Sequence, residues 1–256
     1  MNFQNKKAIV TGAAGNIGRE IALELSRRGA TIFITDLDER KLKTISQEEE
    51  REIYFRASNV KQREEVKAVV AEALEKMGRV DILVNAAGVV SQRPYNHITT
   101  EDWNSIFDVN VRGTFYFIQE AGPLMCKQKK GKIVNFSSKS GKTGSALMCH
   151  YSAAKAALIG LTQALAYELA PYNINVNAIC PGITDKTGVW SKVCAGYMGN
   201  LKLSQKEVVQ RFTAKVPLGR LASITDIVGV VLFLCSEYSD YMTGQAINVS
   251  GGREMH

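Results

Sequence analysis

The stretch that decides the fold is TGAAGNIG at residues 11–18, which places glycines at positions 12, 15 and 18. The strand-like run KAIVT (7–11) leads into it, and residues 16–28 carry apolar side chains at helical spacing. A glycine-rich turn between a strand and a helix lets the backbone approach a phosphate, which the free N–H groups at the helix N-terminus then bind. The pattern predicts a dinucleotide-binding turn, with cofactor contacts at Gly12, Gly15, Asn16, Ile17 and Gly18.

Strand-like and helix-like segments alternate along the rest of the chain. Predicted strands lie at 7–11, 31–35, 80–85, 132–137, 174–179 and 245–249, and EIYFRAS (52–58) separates two charged helical stretches. Predicted helices lie at 16–28, 38–50, 61–77, 101–127, 150–169 and 224–236. This alternation predicts an α/β protein with a single-domain Rossmann fold over residues 1–256: a doubly wound parallel sheet of about seven strands with helices on both faces. The less regular residues 183–215 are interpreted as a mobile substrate lid.

The composition fits one soluble globular domain, with 256 residues of which 45% are hydrophobic and 22% charged. No apolar run approaches the roughly 20 residues of a membrane span. The N-terminal MNFQNKKAIV enters a strand too early for a signal peptide. The 5 cysteines are odd in number and form no CxxC pair, which indicates reduced thiols in the cytoplasm and no metal site.

The net charge of +7 is the one bulk property that could indicate a nucleic-acid partner. The Lys and Arg residues are scattered, however, and their densest cluster, KQKKGK (127–132), leads into a strand as a solvated loop would. Neither nucleic acid nor a membrane is therefore an expected partner, and a small-molecule substrate is expected instead.

Asp36 ends the second predicted strand, 18 residues after Gly18. A carboxylate at this place can accept hydrogen bonds from both hydroxyls of an adenosine ribose, and it repels a 2′-phosphate. Neither Ala13 nor Ala14 supplies the cation that an NADP site normally has in this turn. NAD is therefore the predicted cofactor. The alternative role for Asp36, a cap for the helix at 38–50, is served equally well by Asp38.

Tyr151 and Lys155 stand four residues apart in YSAAK, on one face of a predicted helix. Such a pair is weak evidence alone, but Ser138 follows a strand 13 residues earlier, and Asn110 lies mid-helix in DVNVRGTF, where a polar side chain is otherwise odd. Interconverting a secondary alcohol and a ketone needs a proton acceptor, and the free tyrosine pKa of about 10 is too high for that task. An ammonium about 4 Å away would lower it by roughly three units, which Lys155 is predicted to do. Ser138 would hold the substrate oxygen.

These four residues resemble the Asn–Ser–Tyr–Lys tetrad of the short-chain dehydrogenase/reductase family, and the resemblance covers nearly the whole chain. It implies that Lys155 also binds the nicotinamide ribose. It further implies that Asn110 holds a water linking Lys155 to solvent. The catalytic residues predicted on this basis are Asn110, Ser138, Tyr151 and Lys155.

Three shorter motifs extend the resemblance to the cofactor. NAAG (85–88) is similar to the family's NNAG, and residues 59–60 are similar to its Asp–Val pair at the adenine. PGIT (181–184) resembles the loop that closes over the nicotinamide. The implied contacts are Asn59, Val60, Asn85, Ala86, Gly88, Pro181, Gly182, Ile183 and Thr184. Relatives place a threonine where this chain has Lys186, so Thr184 and Thr187 both stay open as the residue on the cofactor amide.

The glycine spacing leaves two branches of the family open. Compact dehydrogenases usually read TGxxxGxG and extended epimerases TGxxGxxG; this chain matches the second pattern, with Asn16 where the first has glycine. The 13-residue spacing from Ser138 to Tyr151, the chain length and the ending YMTGQAINVSGG resemble the compact branch, in which the last strand helps form a homotetramer. Since Asn tolerates positive φ better than most residues, Asn16 is predicted to adopt a left-handed or strained turn conformation.

The residues predicted to contact the substrate are Ser140, His150, Arg93 and Trp190. His150 could equally be a helix-start residue. Most of the set is polar or basic, whereas a steroid or long acyl chain would favour a more apolar lining. The chain end also resembles bacterial polyol and sugar dehydrogenases, so the predicted reaction is NAD(H)-dependent interconversion of a secondary alcohol and a ketone on a polyol or sugar. The alternatives are a 3-oxoacyl carrier-protein reductase, usually NADPH-dependent, and a non-enzymatic nucleotide-sensing relative. Stereochemistry and physiological direction stay open.

Overall fold

The computed structural model describes the backbone of residues 1–256 and every side chain except those of residues 200 and 201. The strands are β1 (Lys7–Thr11), β2 (Thr31–Asp36), β3 (Ile53–Ala57), β4 (Ile82–Asn85), β5 (Gly131–Phe136), β6 (Ile174–Pro181) and β7 (Ala246–Val249). The α-helices are α1 (Asn16–Arg27), α2 (Glu39–Ile45), α3 (Arg63–Met77), α4 (Thr100–Phe107), α5 (Thr114–Gln128), α6 (Lys139–Thr143), α7 (Cys149–Leu169), α8 (Gly188–Leu201), α9 (Gln205–Thr213) and α10 (Ile224–Cys235). A π-helical segment, Asp108–Gly113, joins α4 to α5, and 3₁₀ turns lie at Tyr95–His97, Ala170–Tyr172 and Glu237–Ser239.

The strands form one parallel sheet in the order β3-β2-β1-β4-β5-β6-β7. The order reverses between β1 and β4, where Thr11 pairs with Asn85. Loops leave in opposite directions at such a switch point, and the crevice between them is where open α/β sheets bind ligands. The predicted Rossmann architecture is confirmed, and the sheet brings the glycine turn and the NAAG segment side by side.

The sheet is covered on both faces because alternate strand residues point to opposite sides. Val10 belongs to a core that includes residues of α1 and α10, whereas its neighbour Ile9 belongs to one that includes residues of α3 and α5. Both side chains are fully buried, and each such burial contributes about 1.5–3 kcal/mol. The two apolar layers make the sheet a firm support for the loops at its carboxyl edge. Among the described residues, no helix has both the length and the apolar character needed to cross a membrane.

Three segments differ from the sequence predictions. The helix predicted at 38–50 ends at Ile45, and the helix predicted at 101–127 is divided by the π segment that carries Asn110. Residues 183–215, predicted to be a mobile substrate lid and called the lid below for brevity, are more regular than expected, since they contain α8 and α9. Trp190 of the lid is buried in a third apolar cluster that also includes Tyr151. Packing against the site, which local sequence does not reveal, organises this segment.

Candidate active site

A cleft of about 420 Å³ lies at the carboxyl ends of the central strands. It gathers all the predicted catalytic residues and every predicted cofactor residue except Asn85, together with Ser140 and Trp190. Asn85 is buried beneath it, where its side-chain amide donates to Asn135 Oδ1 at 2.9 Å. The predicted contact with Asn85 is thus replaced by a role inside the sheet.

The glycine turn is closed by backbone contacts that exclude side chains. A Cβ atom at Gly12, whose φ is +69°, would lie 2.6 Å from the Ala87 nitrogen. A Cβ atom at Gly18 would lie 2.3 Å from the Gly12 oxygen. Gly15 precedes α1 as its N-cap with no side-chain cap, and no acidic residue lies in the first turn. The N–H groups of this helix end therefore remain available to the pyrophosphate of a dinucleotide.

The prediction for Asn16 is wrong. Asn16 is the first residue of α1 and is not among the residues with positive φ. Gly12 supplies the left-handed conformation that reverses the chain, so the helix has already begun at Asn16. The Asn16 amide instead donates a hydrogen bond of 2.8 Å to the backbone oxygen of Lys186 in the lid.

Asp36 lies at the end of β2, beside the same turn. One carboxylate oxygen accepts the Ala14 N–H at 3.0 Å, and the other accepts the Leu37 N–H at 2.7 Å. A carboxylate has further acceptor capacity, so these bonds orient it without saturating it. Asp38, and not Asp36, caps α2 by accepting the Lys41 N–H. Asp36 therefore has no capping role and faces the cleft.

The tetrad converges from three elements. Tyr151 and Lys155 are buried on α7, and Ser138, the N-cap of α6, hydrogen-bonds Tyr151. Asn110 donates to the Ile106 and Val89 oxygens at 2.9 and 3.0 Å, and its buried Oδ1 has no hydrogen-bond partner among the residues whose side chains are described.

That Asn110 oxygen faces the same space as the Lys155 ammonium. A Cβ atom built on Gly88 would lie 2.8 Å from Asn110 Oδ1 and 3.4 Å from Lys155 Nζ. Only a glycine leaves this space open. The pair is suited to hold a polar group or a water between them, since a buried acceptor without a partner is costly.

Burial dominates the titration of the catalytic pair. It raises the pKa of Tyr151 to about 12, a shift that the Ser138 hydrogen bond partly opposes. It lowers the pKa of Lys155 to about 7, against a smaller opposing effect of Cys180. The prediction that Lys155 lowers the pKa of Tyr151 is therefore wrong for the chain by itself. Lys155 Nζ lies 5.6 Å from the Tyr151 ring centre and donates to the Phe136 oxygen at 2.7 Å, and the pKa of Tyr151 follows burial and the Ser138 hydrogen bond instead.

The loop after β6 is fixed by its own threonines. Thr184 is buried and forms a bridge with Ala222. The Thr187 hydroxyl donates to the Thr184 oxygen at 2.9 Å and accepts the Trp190 N–H at 3.1 Å, which caps α8. Both threonines line the cleft, but the Thr184 hydroxyl has only one weak partner, the Gly182 oxygen at 3.4 Å. Thr184 is thus the freer of the two to meet a cofactor amide.

Known proteins with this geometry are numerous and similar over the full length. A family model described as enoyl-(acyl carrier protein) reductase matches residues 12–254. A 3-oxoacyl-(acyl-carrier-protein) reductase of Aquifex aeolicus is 37% identical over 98% of both chains, and a galactitol 2-dehydrogenase of Agrobacterium fabrum is 36% identical over 100% of both. The chain belongs to the short-chain dehydrogenase/reductase family. It is therefore an oxidoreductase that acts on CH–OH groups and binds a nicotinamide dinucleotide.

Solved structures of this family agree with the fold but leave the choice of cofactor open. A xylitol dehydrogenase bound to NAD+ has a TM-score of 0.94 at 33% identity, covering 98% of this chain and 100% of its own. An actinorhodin polyketide ketoreductase bound to NADPH has the same TM-score, 0.94, at 34% identity over 100% of both chains. The glycine turn and the tetrad of this short-chain dehydrogenase/reductase thus fit a nicotinamide cofactor of either kind, and Asp36 is the residue that bears on the difference.

At the substrate end of this short-chain dehydrogenase/reductase, two predicted contacts lie outside the cleft lining. His150 is fully buried, and its Nε2 hydrogen-bonds the Ser91 hydroxyl at 2.6 Å. Burial lowers the pKa of His150. Arg93, in the same loop as Ser91, pairs with Asp102 of α4 at 2.7 Å. We assign both residues to supporting the loop after β4 and not to substrate contact, because helical spacing turns His150 away from the face that carries Tyr151.

Sequence reasoning missed the C-terminal residues of the enzyme. Lys139 lines the cleft directly after Ser138 and lies 3.7 Å from Glu254, whose side chain is nearly buried. Arg253 stacks over Phe212 of the lid at 5.5 Å. Burial is the main cause that lowers the pKa of Lys139, and Glu254 acts in the opposite direction. The sequence REMH offers no motif from which these contacts could be predicted, because both depend on where the last strand ends.

Proposed function

We propose that the protein is an NAD(H)-dependent dehydrogenase that interconverts a secondary alcohol and a ketone on a polyol or sugar. The observation that carries the choice of NAD is Asp36. Its carboxylate lines the cleft at the end of β2 and is anchored to the glycine turn through the Ala14 N–H. A carboxylate here suits the two ribose hydroxyls of NAD and repels the additional phosphate of NADP.

The catalytic roles follow from the tetrad. A nicotinamide dinucleotide held by the glycine turn and the tetrad would supply the hydride chemistry. Tyr151 exchanges the proton with the substrate oxygen, and Ser138 holds that oxygen. The Lys155 ammonium lies over the Tyr151 ring. Because burial raises the pKa of Tyr151 to about 12, its phenol is protonated at neutral pH in the chain by itself, as the reductive direction requires. The Asn110 oxygen, which has no partner within the described part of the chain, would orient a water beside Lys155 for proton exchange.

The polyol or sugar substrate is supported by the wall after β5, where Ser140, Ser145 and Lys139 join Ser138 on the cleft. Galactitol and xylitol dehydrogenases are also among the full-length relatives. The opposite wall favours a second candidate, a 3-oxoacyl carrier-protein reductase, because Trp190 and other apolar side chains of the lid face the same space. A carrier-bound acyl chain would use that apolar wall.

We also infer a cytoplasmic homotetramer. β7 forms an edge of the sheet, and a parallel edge strand is usually covered in a native assembly. Exposed aromatic side chains on α5 and α7, Phe115 and Tyr167, provide a second apolar surface. A nucleotide-sensing protein without catalysis is the weaker alternative, because Tyr151 and Lys155 are both present at the site.

The deciding experiment measures turnover of alditols, sugar acids, hydroxysteroids and acetoacetyl thioesters with NAD(H) and with NADP(H). We expect oxidation of an alditol or sugar with NAD, at a kcat/KM at least about tenfold above that with NADP. In Asp36→Ala this preference should shrink, whereas Asp38→Ala, which loses the α2 cap, should keep it. Faster acetoacetyl-thioester reduction with NADPH would contradict the proposal and favour the second candidate.

A further inference from the structure

One hydrogen bond joins the two walls of the cleft at its mouth. The side-chain amide of Asn16, on the glycine turn, donates to the backbone oxygen of Lys186 at 2.8 Å, across 170 residues of sequence. Both residues are exposed; Asn16 lines the cleft with the rest of the glycine turn, whereas Lys186 lies outside the lining although Thr184 and Thr187 beside it belong to it. The bond therefore lies at the rim of the cleft, beside the space that a dinucleotide would occupy.

On the lid side of this contact, hydrogen bonds stabilise the backbone conformation of Lys186. Lys186 has a φ of +56°, a left-handed conformation that is unfavourable for lysine. Its N–H donates to Asp185 Oδ1 at 2.8 Å, and the Asp185 N–H donates to the Ala222 oxygen, also at 2.8 Å. These bonds hold the Lys186 peptide in an unusual conformation, and in that conformation its carbonyl oxygen accepts the Asn16 amide.

On the side of the glycine turn, the Asn16 amide does not cap the helix that follows. Asn16 is the first residue of α1, after the N-cap Gly15, and its side chain does not cap the helix. Its described hydrogen bond is the one to Lys186. Removal of the amide should therefore release the lid without disturbing the glycine turn.

We propose that Asn16 is a latch residue that controls exchange of the nicotinamide dinucleotide. The Asn16–Lys186 bond closes the cleft over the pyrophosphate position, and it opens whenever the cofactor enters or leaves. The proposal rests on dinucleotide binding in the proposed function and not on the choice of substrate. Because the bond joins two groups of the protein and not the cofactor, its loss lowers the barrier to exchange in both directions.

The test is stopped-flow fluorescence of NADH binding and release by Asn16→Ala and by the wild-type enzyme, without substrate. We expect both rate constants to rise about three- to tenfold, the loss of one hydrogen bond, while Kd changes less than about twofold. Asp185→Ala provides a second variant, since Asp185 does not line the cleft but holds the Lys186 N–H. It should accelerate exchange in the same way, and the double variant should be no faster than the faster single one.

Arg19→Ala is the matched control, because Arg19 is on the same helix and pairs with Glu48 away from the lid. Its exchange rates should equal those of the wild type. Unchanged rates in both Asn16→Ala and Asp185→Ala would overturn the latch. A rise in Kd through faster release alone would also overturn it, because that result describes a direct cofactor contact. Faster exchange in a protein that turns over no polyol would support the latch while contradicting the proposed substrate.

Discussion

The two ends of the cleft are held together by different means. At the phosphate end, backbone lies against backbone: the close approaches of Gly12 and Gly18 leave no room for even a methyl group. At the substrate end, side chains from distant parts of the chain make the contacts, as in the Lys139–Glu254 pair and the stacking of Arg253 on the lid. Backbone packing at the phosphate end restricts the residue types there severely. The side-chain contacts at the substrate end could be made by many combinations of residues.

This difference accounts for how relatives with different substrates share one fold. The xylitol dehydrogenase and the polyketide ketoreductase have the same TM-score to this chain, 0.94, although their names specify unlike substrates. A constant phosphate end and a variable substrate end would produce that result. The variants below test whether the two ends are as separate as the structure indicates.

The largest effect should come from Tyr151, the assigned proton donor. Tyr151→Phe removes the proton donor, so kcat should fall about 10³-fold. NADH Kd should stay within about twofold, as measured by fluorescence titration, because the phosphate end is untouched. Tyr197→Phe, which removes another hydroxyl from the cleft, is the control and should retain most activity. Substantial activity in Tyr151→Phe would refute the assigned proton donor.

Gly12→Ala tests the backbone packing of the phosphate end. With φ at +69° and the Ala87 nitrogen 2.6 Å from the new Cβ, we expect a loss of about 2–4 kcal/mol in the free energy of unfolding, with much weaker NADH binding. Gly160→Ala is the control, because a Cβ there meets nothing within 4 Å in α7 and should stabilise by about 0.5–1 kcal/mol. Urea denaturation measures the free energy of unfolding of both variants. Equal behaviour of the two variants would disprove the steric account.

Lys155 gives a pH-dependent prediction. Its pKa is about 7 in the folded protein, below the ordinary value of 10.5, so between these values the unfolded chain binds a proton that the folded protein does not. The contribution of Lys155 to stability therefore rises with pH by up to about 1.4 kcal/mol per unit from pH 7 to 10.5, and is flat below pH 7.

Lys155→Met removes this dependence. Its stability relative to the wild type should be highest at pH 7 or below, and should decline as pH rises to 9. Urea denaturation of both proteins at pH 6, 7, 8 and 9 checks the slope. A constant difference across that range would show that Lys155 keeps its ordinary pKa in the fold.

The smallest effect should come from the C-terminal contact. Glu254→Gln removes the carboxylate beside Lys139, so the lysine loses its fixed position on the substrate wall. We expect kcat/KM for the substrate to fall about three- to tenfold and NADH Kd to change less than twofold. Glu237→Gln, an exposed site in a 3₁₀ turn, should change neither. An equal effect on NADH binding would show that the two ends are not separate.

Local sequence was sufficient to predict the order of strands and helices, the glycine turn, the position of Asp36 and the tetrad. These features depend on local backbone geometry or on fixed spacing along one element. Gly12 and Gly18 are required because the backbone approaches too closely for a side chain, and Tyr151 and Lys155 share a helix face because they are four residues apart.

Features that depend on distant partners and on burial became evident only in the folded chain. From its motif alone, Asn16 could be interpreted only as a substitute for glycine. In the fold, Gly12 makes the turn, and the Asn16 side chain hydrogen-bonds Lys186 of the lid. His150 was a plausible substrate contact until its burial placed it behind the cleft wall. The pKa of Tyr151 rises because desolvation outweighs the Ser138 hydrogen bond, and Tyr151 is buried in a cluster that includes Trp190 of the lid.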